Sequence, residues 1–284
     1  MNESRSGAVV VCDPIRAAAL PGVCEHVTVA GVVSTGRRLS TDIARYDTVP
    51  HALDAGADRL IALSPYRGLP EDIRRCRERG VPVITAGPAS STDLGLCAAG
   101  RWRYQPALAR ISEAGARSTF GKPVYLRHFG GGGRGLLGLW WAALEGLELA
   151  AHLLGGPSRV WVAATGRRGR WHATMTVISD ENTTAQLVVT PTAMPGDDSM
   201  FLGTGGLVWH EGIRDAVIAQ TDDGTRMFAE DAVWPDGPWA AAAVSSAAAA
   251  CHSAVPDSVR LELLRVLRRA ARSGRLDCLV AGET

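Results

Sequence analysis

Short valine-rich segments alternate with helix-like segments along the first part of the chain, and this alternation limits the fold more than any other feature. Strand-like runs are present at Ala8–Cys12, Val27–Val33, Arg59–Leu63 and Val81–Thr85. Runs that are apolar at nearly every position are typical of strands buried on both faces, as in a parallel sheet. Helical spacing between them, as at Pro70–Arg79, predicts βαβ units and a doubly wound parallel sheet.

The pattern changes after about residue 120, where strand-like segments follow one another without helices between them. Leu136–Leu154 predicts a long apolar helix that ends at Gly155, and Val259–Ser273 predicts a terminal amphipathic helix. Strands are predicted at Pro123–Phe129, Arg159–Ala164, Trp171–Ile178, Thr184–Thr190, Met200–Trp209, Ala216–Gln220 and Thr225–Phe228. This part is therefore predicted to be α+β, built on a largely antiparallel sheet.

The expected domains are residues 1–120 and 121–284, and an open alternative is that the terminal helix 259–273 packs back on the first domain. The hydrophobic content of 46% is ample for a core, and the net charge of +1 gives no electrostatic footprint for nucleic acid or a membrane surface. The six cysteines have neither zinc-site nor disulfide-framework spacing. The polar N-terminus is unlike a signal peptide, so we expect a cytoplasmic protein.

Four motifs, in this order and spacing, carry a resemblance to a known family. They are Ser64-Pro65 after a strand, Arg103-Tyr104-x-Pro106-Ala107 with Gly121-Lys-Pro-Val-Tyr, the helix Leu136 to Gly155, and Phe201-Leu-Gly-Thr-Gly-Gly-Leu. Together they resemble the Gfo/Idh/MocA oxidoreductases, named for glucose–fructose oxidoreductase and inositol dehydrogenase. The resemblance implies a Rossmann-like domain followed by an open antiparallel sheet that carries the substrate site and the oligomer interface.

The turn after the first strand departs from the family's cofactor motif. Members that bind a nicotinamide cofactor have G-x-G-x-x-G here, whereas this chain has Cys12-Asp13-Pro14-Ile15-Arg16-Ala17. Pro14 has no N–H to donate, and the Asp13 carboxylate would repel a diphosphate. We interpret Asp13 as a helix N-cap followed by Pro14 at the first helical position, with standard dinucleotide binding lost or much weakened.

Residues after the second strand favour the opposite conclusion. Ser34, Arg37 and Arg38 resemble the NADP-preferring version of the family, in which guanidinium groups pair with the 2′-phosphate. A solvated Gly-Arg-Arg turn is an equally good interpretation. We therefore expect no cofactor, or NADP(H) if any, with Ser34, Arg37, Arg38, Ser64 and Pro65 as the residues that would contact it.

The catalytic positions also depart from the family. Its Glu-Lys-Pro is replaced by Ala86-Gly87-Pro88, and the Asp and His of its catalytic helix correspond to Trp141 and Glu145. Glu145 beside an aromatic wall could act as an acid or base, while core packing is the competing interpretation. Tyr104 at the domain crossover and His128 on a strand complete the candidate catalytic set, and no metal cluster is expected. The run Gly130–Gly133 is interpreted as a mobile loop over the cleft.

The expected function is therefore that of a redox-silent family member. It would bind a small molecule in the interdomain cleft for cofactor-independent chemistry in specialised biosynthesis, or serve as a non-catalytic subunit. The alternative is an NADP(H)-dependent imine or carbonyl reductase with a rewired site. A homodimer, or a heteromer with a paralogue, is expected through the open sheet face. Candidates for that face are Trp161, Met175, Val177, Leu187, Val189 and Leu207.

Overall fold

The chain is divided into two compact units in its computed structural model. One unit holds Met1–Arg101 and Trp234–His252, and the other holds Trp102–Val233 and Ser253–Thr284. The segment 102–120, which the sequence analysis assigned to the first domain, therefore belongs to the second unit. The structure describes residues 7–14, 16–35, 39, 41–85, 101–104, 106–131, 135–167, 170–190, 198–211, 216–221, 224–229, 239–241 and 255–280.

The first unit is built on a parallel sheet with the strand order β3-β2-β1-β4-β5. Its strands are β1 (Ala8–Cys12), β2 (Val29–Ser34), β3 (Arg45–Tyr46), β4 (Arg59–Ala62) and β5 (Val83–Thr85). The central strand β1 is buried along its whole length, as its unbroken apolar sequence predicts. This confirms the predicted parallel, Rossmann-like sheet.

Helices connect these strands and pack on the sheet. A 3₁₀ turn at Arg16–Ala19 continues into α1 (Leu20–His26), and α2 (Val49–Asp54) and α3 (Leu69–Glu78) follow. The Thr48 hydroxyl caps α2 by accepting a hydrogen bond from the His51 N–H at 3.3 Å. The sequence analysis did not predict α2, because six residues are too few to show a helical period.

The second unit is built on a larger, mostly antiparallel sheet. Over the described residues its order is β13-β12-β11-β10-β6-β9-β8-β7-β14, and only the β6–β9 pair is parallel. Its strands are β6 (Pro123–Gly131), β7 (Pro157–Arg167), β8 (Arg170–Ser179), β9 (Thr184–Thr190), β10 (Ser199–Gly203), β11 (Gly206–Glu211), β12 (Ala216–Thr221), β13 (Gly224–Ala229) and β14 (Asp277–Val280). The predicted change from a parallel to a largely antiparallel sheet is confirmed.

Three helices accompany this sheet: α4 (Pro106–Gly115), α5 (Gly135–Leu154) and α6 (Asp257–Ser273). The terminal helix α6 packs on β7, β14 and α5, all within the second unit. Packing of this helix on the first domain is the alternative that the sequence leaves open. None of the described helices is long and apolar enough to cross a membrane.

Two local predictions for this sheet were wrong. The predicted single strand Met200–Trp209 is a hairpin, β10–β11, which turns at Thr204 and Gly205. The neighbouring Gly203 approaches the Phe120 carbonyl so closely that a Cβ would clash with it. Gly130 and Gly131, predicted as part of a mobile loop, are the last residues of β6.

Helices cover one face of the second sheet. Met175, Val177, Leu187 and Val189 are buried on the face that packs against α5, so their prediction as open-face residues was wrong. Apolar strand positions that meet a helix are removed from water within the monomer, and only the alternate positions face the other side. Trp161 and Leu207, from the same predicted set, occupy those alternate positions and are half-buried.

Candidate functional site

The polar groups of the turn after β1 form hydrogen bonds with one another and with Ser64. The Asp13 carboxylate accepts a hydrogen bond from the Arg16 backbone N–H at 2.8 Å, and the Asp13 N–H donates to Ser64 Oγ at 3.0 Å. The Ala17 N–H donates to the Asp13 carbonyl at 2.9 Å. Asp13, Arg16 and Ser64 are all buried. The predicted capping role of Asp13 is thereby confirmed.

These contacts do not fit a dinucleotide pyrophosphate, which a Rossmann-type turn holds with free backbone N–H groups at a helix N-terminus. Pro14 has none, and each other described N–H from Asp13 to Ala17 already has an acceptor within the turn or on Ser64. The Asp13 carboxylate is an anionic group of the protein itself at this helix start. A bound pyrophosphate would have to displace the Asp13 carboxylate, and the two negative charges would repel each other.

The other predicted cofactor residues are placed as follows. Ser64 is buried, and its hydroxyl oxygen accepts the hydrogen bond from the Asp13 N–H. The next residue, Pro65, is half-buried. Ser34 ends β2 and is half-buried. Arg37, Arg38 and the segment Ala86-Gly87-Pro88 lie outside the described residues.

Helix α5 carries the predicted pair Trp141 and Glu145. They stand four residues apart and therefore on one face of the helix, with Trp141 buried and Glu145 half-buried. Tyr104 ends a 3₁₀ turn, Arg101–Tyr104, and is also half-buried. Among the described residues, no hydrogen bond or ion pair joins Tyr104 to Glu145 or His128.

His128 lies in a row of polar side chains that crosses three neighbouring strands. Ser199 of β10 is the register partner of both His128 on β6 and His210 on β11. All three are at most 4% exposed, on the face that packs against the helices. His128 Nδ1 lies 2.7 Å from Ser199 Oγ. Buried polar groups are costly unless paired, so this row is a specific feature of an otherwise apolar layer.

Burial is the main influence on the charge of His128. It lowers the pKa of His128 to about 4, and the nearby His210 lowers it further, while the carboxylates of Glu145 and Asp198 oppose this shift. His128 is therefore neutral near pH 7. The structure thus brings the predicted residues His128 and Glu145 into electrostatic contact across β6 and α5.

The polar cluster around His128 and Glu145 also contains Asp198, Ser199 and His210, none of which is in the candidate catalytic set. Their grouping depends on strand register, which fixes the neighbours of each residue across a sheet and has no signature in a single strand. Asp198 Oδ1 is buried and has no hydrogen-bond partner within the described part of the chain. Within those ranges, no three His, Cys, Asp or Glu side chains are grouped closely enough to hold a metal ion.

A buried ion pair holds α5 against α6. Glu148 and Arg260 approach to 3.5 Å, with their side chains 10% and 13% exposed. The Trp140 indole N–H donates to the Arg260 carbonyl at 3.1 Å. Trp140, the neighbour of the candidate Trp141, therefore has a structural role in fixing the helix that carries Glu145.

Comparisons with known proteins give structural matches alone. No protein-family model matches the chain, and no curated protein matches its sequence. Solved structures match over nearly the whole chain. An oxidoreductase from Agrobacterium radiobacter, in complex with NAD+, L-tartaric acid and magnesium, is 13% identical with a TM-score of 0.65, and the match covers 97% of this chain and 98% of that one.

Two further matches are close in extent. UDP-N-acetylglucosamine 3-dehydrogenase GnnA from Acidithiobacillus ferrooxidans is 16% identical with a TM-score of 0.65, covering 95% of this chain and 99% of that one. GenD2 from gentamicin A biosynthesis, in complex with NAD, is 18% identical with a TM-score of 0.66, and the match covers 98% of this chain and 97% of that one. These structural neighbours are Gfo/Idh/MocA-type oxidoreductases, and the chain has their fold.

Proposed function

We propose that this protein has an oxidoreductase fold but does not carry out nicotinamide-dependent hydride transfer, and that it binds a small molecule beside His128 and Glu145 for cofactor-independent chemistry. A biosynthetic isomerisation, cyclisation or elimination is the class of reaction that such a site would serve. The observation that carries this proposal is the hydrogen bond from the Arg16 N–H to the Asp13 carboxylate.

That hydrogen bond fixes a negative charge at the turn after β1, which is the turn that holds the pyrophosphate in Rossmann-type domains. A helix start that is already capped by a carboxylate has little left to offer an anion, and the like charges repel at short range. The dinucleotide could bind only after the turn had rearranged and the Asp13–Ser64 contact had broken. We therefore expect nicotinamide affinity to be weak.

The polar cluster of the second unit supplies the chemistry in this proposal. Glu145 is half-buried on α5, one helical turn after the Trp141 ring, and is the group best placed to give or take a proton. His128 is neutral and contributes hydrogen bonding rather than charge. Substrate binding and proton transfer would then need no electron carrier.

An NADP(H)-dependent reductase is the alternative. It is supported by two structural neighbours solved with NAD and by the sequence Ser34 to Arg38, in which the arginines could pair with a 2′-phosphate. Isothermal titration calorimetry of the purified protein with NADPH and with NADH separates the two functions. We expect no binding in the micromolar range with either nucleotide. Micromolar binding of NADPH would establish the reductase in place of our proposal.

We further propose that the face of the second sheet opposite the described helices, here called the open face, pairs with a second copy of the chain. Trp209 is 40% exposed there, and its register partners Met200 and Ile218 are only half-buried. Leu202 on β10 and Leu207 on β11 extend this apolar strip. An exposed apolar strip of this kind is typical of an association surface, and a two-fold contact would bury it on both copies. Pairing with a paralogue through the same face is the alternative outcome.

A further inference from the structure

Two segments of the chain contain several arginines and no acidic residue. Residues 149–179 have four arginines and residues 263–276 have five, and neither segment has an aspartate or a glutamate. The net charge of the whole chain is only +1, so the acidic residues that balance these arginines lie elsewhere in the sequence. The overall charge balance, on which the expectation of no membrane partner rested, does not show such a local excess of positive charge.

The first segment forms a two-stranded ribbon that extends beyond the neighbouring strands. β7 and β8 pair as far as Arg167 and Arg170, whereas β14 pairs with β7 only up to Val162. On the other side, β9 pairs with β8 only from Ala173 onwards. The last three register pairs of the β7–β8 hairpin therefore lie beyond both neighbours, and the sequence Arg167-Arg168-Gly169-Arg170 joins the two strands.

The second segment ends close to the base of this ribbon. After α6 the chain turns at Gly274, which has φ +63°, and enters β14, whose first residue, Asp277, pairs with Val162. Arg269, near the end of α6, donates to the Asp277 carboxylate at 2.6 Å and holds the helix end beside this point. Thr165 of the ribbon lies only about 10 Å farther along β7, at about 3.3 Å per residue. The two arginine-rich segments thus meet at one end of the second sheet.

The side chains at this end of the sheet are exposed and their charges are not balanced. Four arginines here are exposed and form no ion pair or side-chain hydrogen bond with any described residue: Arg170, Arg268, Arg272 and Arg275. Leu276, next to Arg275, is 65% exposed, more than any other large apolar side chain in the described ranges. A helix C-terminus favours a basic residue such as Arg272, but it accounts neither for Arg170 on another element nor for the exposure of Leu276. We call these five residues the arginine end.

We propose that the arginine end is a docking surface for a bilayer that contains anionic phospholipids. Guanidinium groups pair with phosphate, and each basic residue close to an anionic membrane surface strengthens binding. The Leu276 side chain supplies an apolar group that enters the boundary between headgroups and acyl chains. Trp171, which follows Arg170 on the ribbon, is of the residue type that is enriched at the headgroup level.

The exposed leucine favours a bilayer over nucleic acid. A phosphate backbone would engage the arginines but would give Leu276 no apolar environment, whereas a bilayer surface offers both. The proposed docking surface is separate from the candidate site beside His128, and it does not depend on the proposed function.

Co-sedimentation with lipid vesicles tests this proposal on the full chain. We expect the wild-type protein to bind phosphatidylcholine vesicles that contain about one third phosphatidylglycerol, to bind pure phosphatidylcholine vesicles much less, and to be released by high salt. Arg272→Gln with Arg275→Gln should weaken binding more than about tenfold, at about fivefold for each arginine. Leu276→Ser should weaken it several-fold and leave its salt dependence unchanged.

The matched control is Arg77→Gln with Arg117→Gln, which makes the same change in net charge at two exposed arginines on other parts of the chain. This control should bind the anionic vesicles like the wild-type protein. Equal losses in the two double variants would overturn the proposal, because net charge alone would then explain binding. Equal wild-type binding to both kinds of vesicle would also overturn it, even if a variant fails to fold. Binding of a DNA duplex without binding of the anionic vesicles would replace the bilayer by nucleic acid.

Discussion

The carboxylate of Asp13 lies 2.8 Å from the backbone N–H of Arg16, so the first helical turn of the chain is capped from within. The same residue donates its own N–H to Ser64 Oγ, which ties the turn after β1 to the end of β4. One residue thus completes the turn, and in our proposal its carboxylate also opposes the binding of an anion there. We therefore expect the stability of this turn and the nucleotide affinity of the protein to be linked through Asp13.

Replacing Asp13 with alanine should destabilise the first unit by about 1 kcal/mol, because the capping acceptor is lost. Asp13→Asn keeps an oxygen acceptor without the charge and should cost only a few tenths of that amount. Urea unfolding of both variants measures the difference. Equal losses in the two variants would show that the charge, and not the cap, matters at this turn.

Protonation of His128 should destabilise the protein as the pH falls. The pKa of His128 is lowered to about 4 in the folded state against about 6.5 when unfolded, so the unfolded chain binds more protons between these values. His128 should therefore remove about 2 kcal/mol of stability between about pH 7 and about pH 5. Urea unfolding at both pH values should show this loss in the wild-type protein and a smaller loss in His128→Gln. An identical pH dependence in the two proteins would contradict the depressed pKa.

Removing Glu148 should be destabilising, because the Arg260 guanidinium would lose this carboxylate contact at a site that is almost closed to water. We expect Glu148→Ala to cost about 3 kcal/mol in thermal or urea unfolding. The exposed pair Arg110 and Glu113 on α4 provides the control, and Glu113→Ala should cost less than about 0.5 kcal/mol. Similar losses in both variants would mean that the α5–α6 ion pair contributes no more to stability than an exposed ion pair does.

A charge on the open face should prevent self-association. Trp209→Glu should convert a dimer of the 30.0 kDa chain to a monomer in light scattering at micromolar concentration. Val124→Glu is the matched control, since Val124 is also exposed but alternates to the opposite face of the same sheet. A wild-type monomer would refute the homodimer, and dissociation by both variants would point to general destabilisation instead.

The sheets and the long helix could be predicted because their signals are local. The unbroken apolar run Ala8–Cys12 indicates a strand covered on both faces, and that is its place in the parallel sheet. α5 is marked by twenty residues of mostly apolar sequence that end at Gly155, which has φ +93°. The cap at Asp13 also follows from sequence, because Asp-Pro before a helix is a short-range pattern.

The site and the open face could not be predicted in full because they depend on tertiary placement. Met175 and Leu187 are as apolar as Trp161, and which of them meets a helix depends on the position of α5. Likewise, the contact between His128 and Ser199 joins residues 71 positions apart through strand register. No periodicity within either strand could have revealed it.

The most direct test of the proposed function is calorimetry with NADPH and NADH on the wild-type protein and on the double variant Asp13→Gly, Pro14→Gly. The account predicts no micromolar binding by the wild-type protein. The double variant should gain affinity, and more for NADPH than for NADH, since Arg37 and Arg38 remain. Asp13→Asn, which keeps the cap but removes the charge, should gain less affinity than the double variant. Micromolar NADPH binding by the wild-type protein, or no gain in the double variant, would contradict the claim that Asp13 and Pro14 exclude the cofactor.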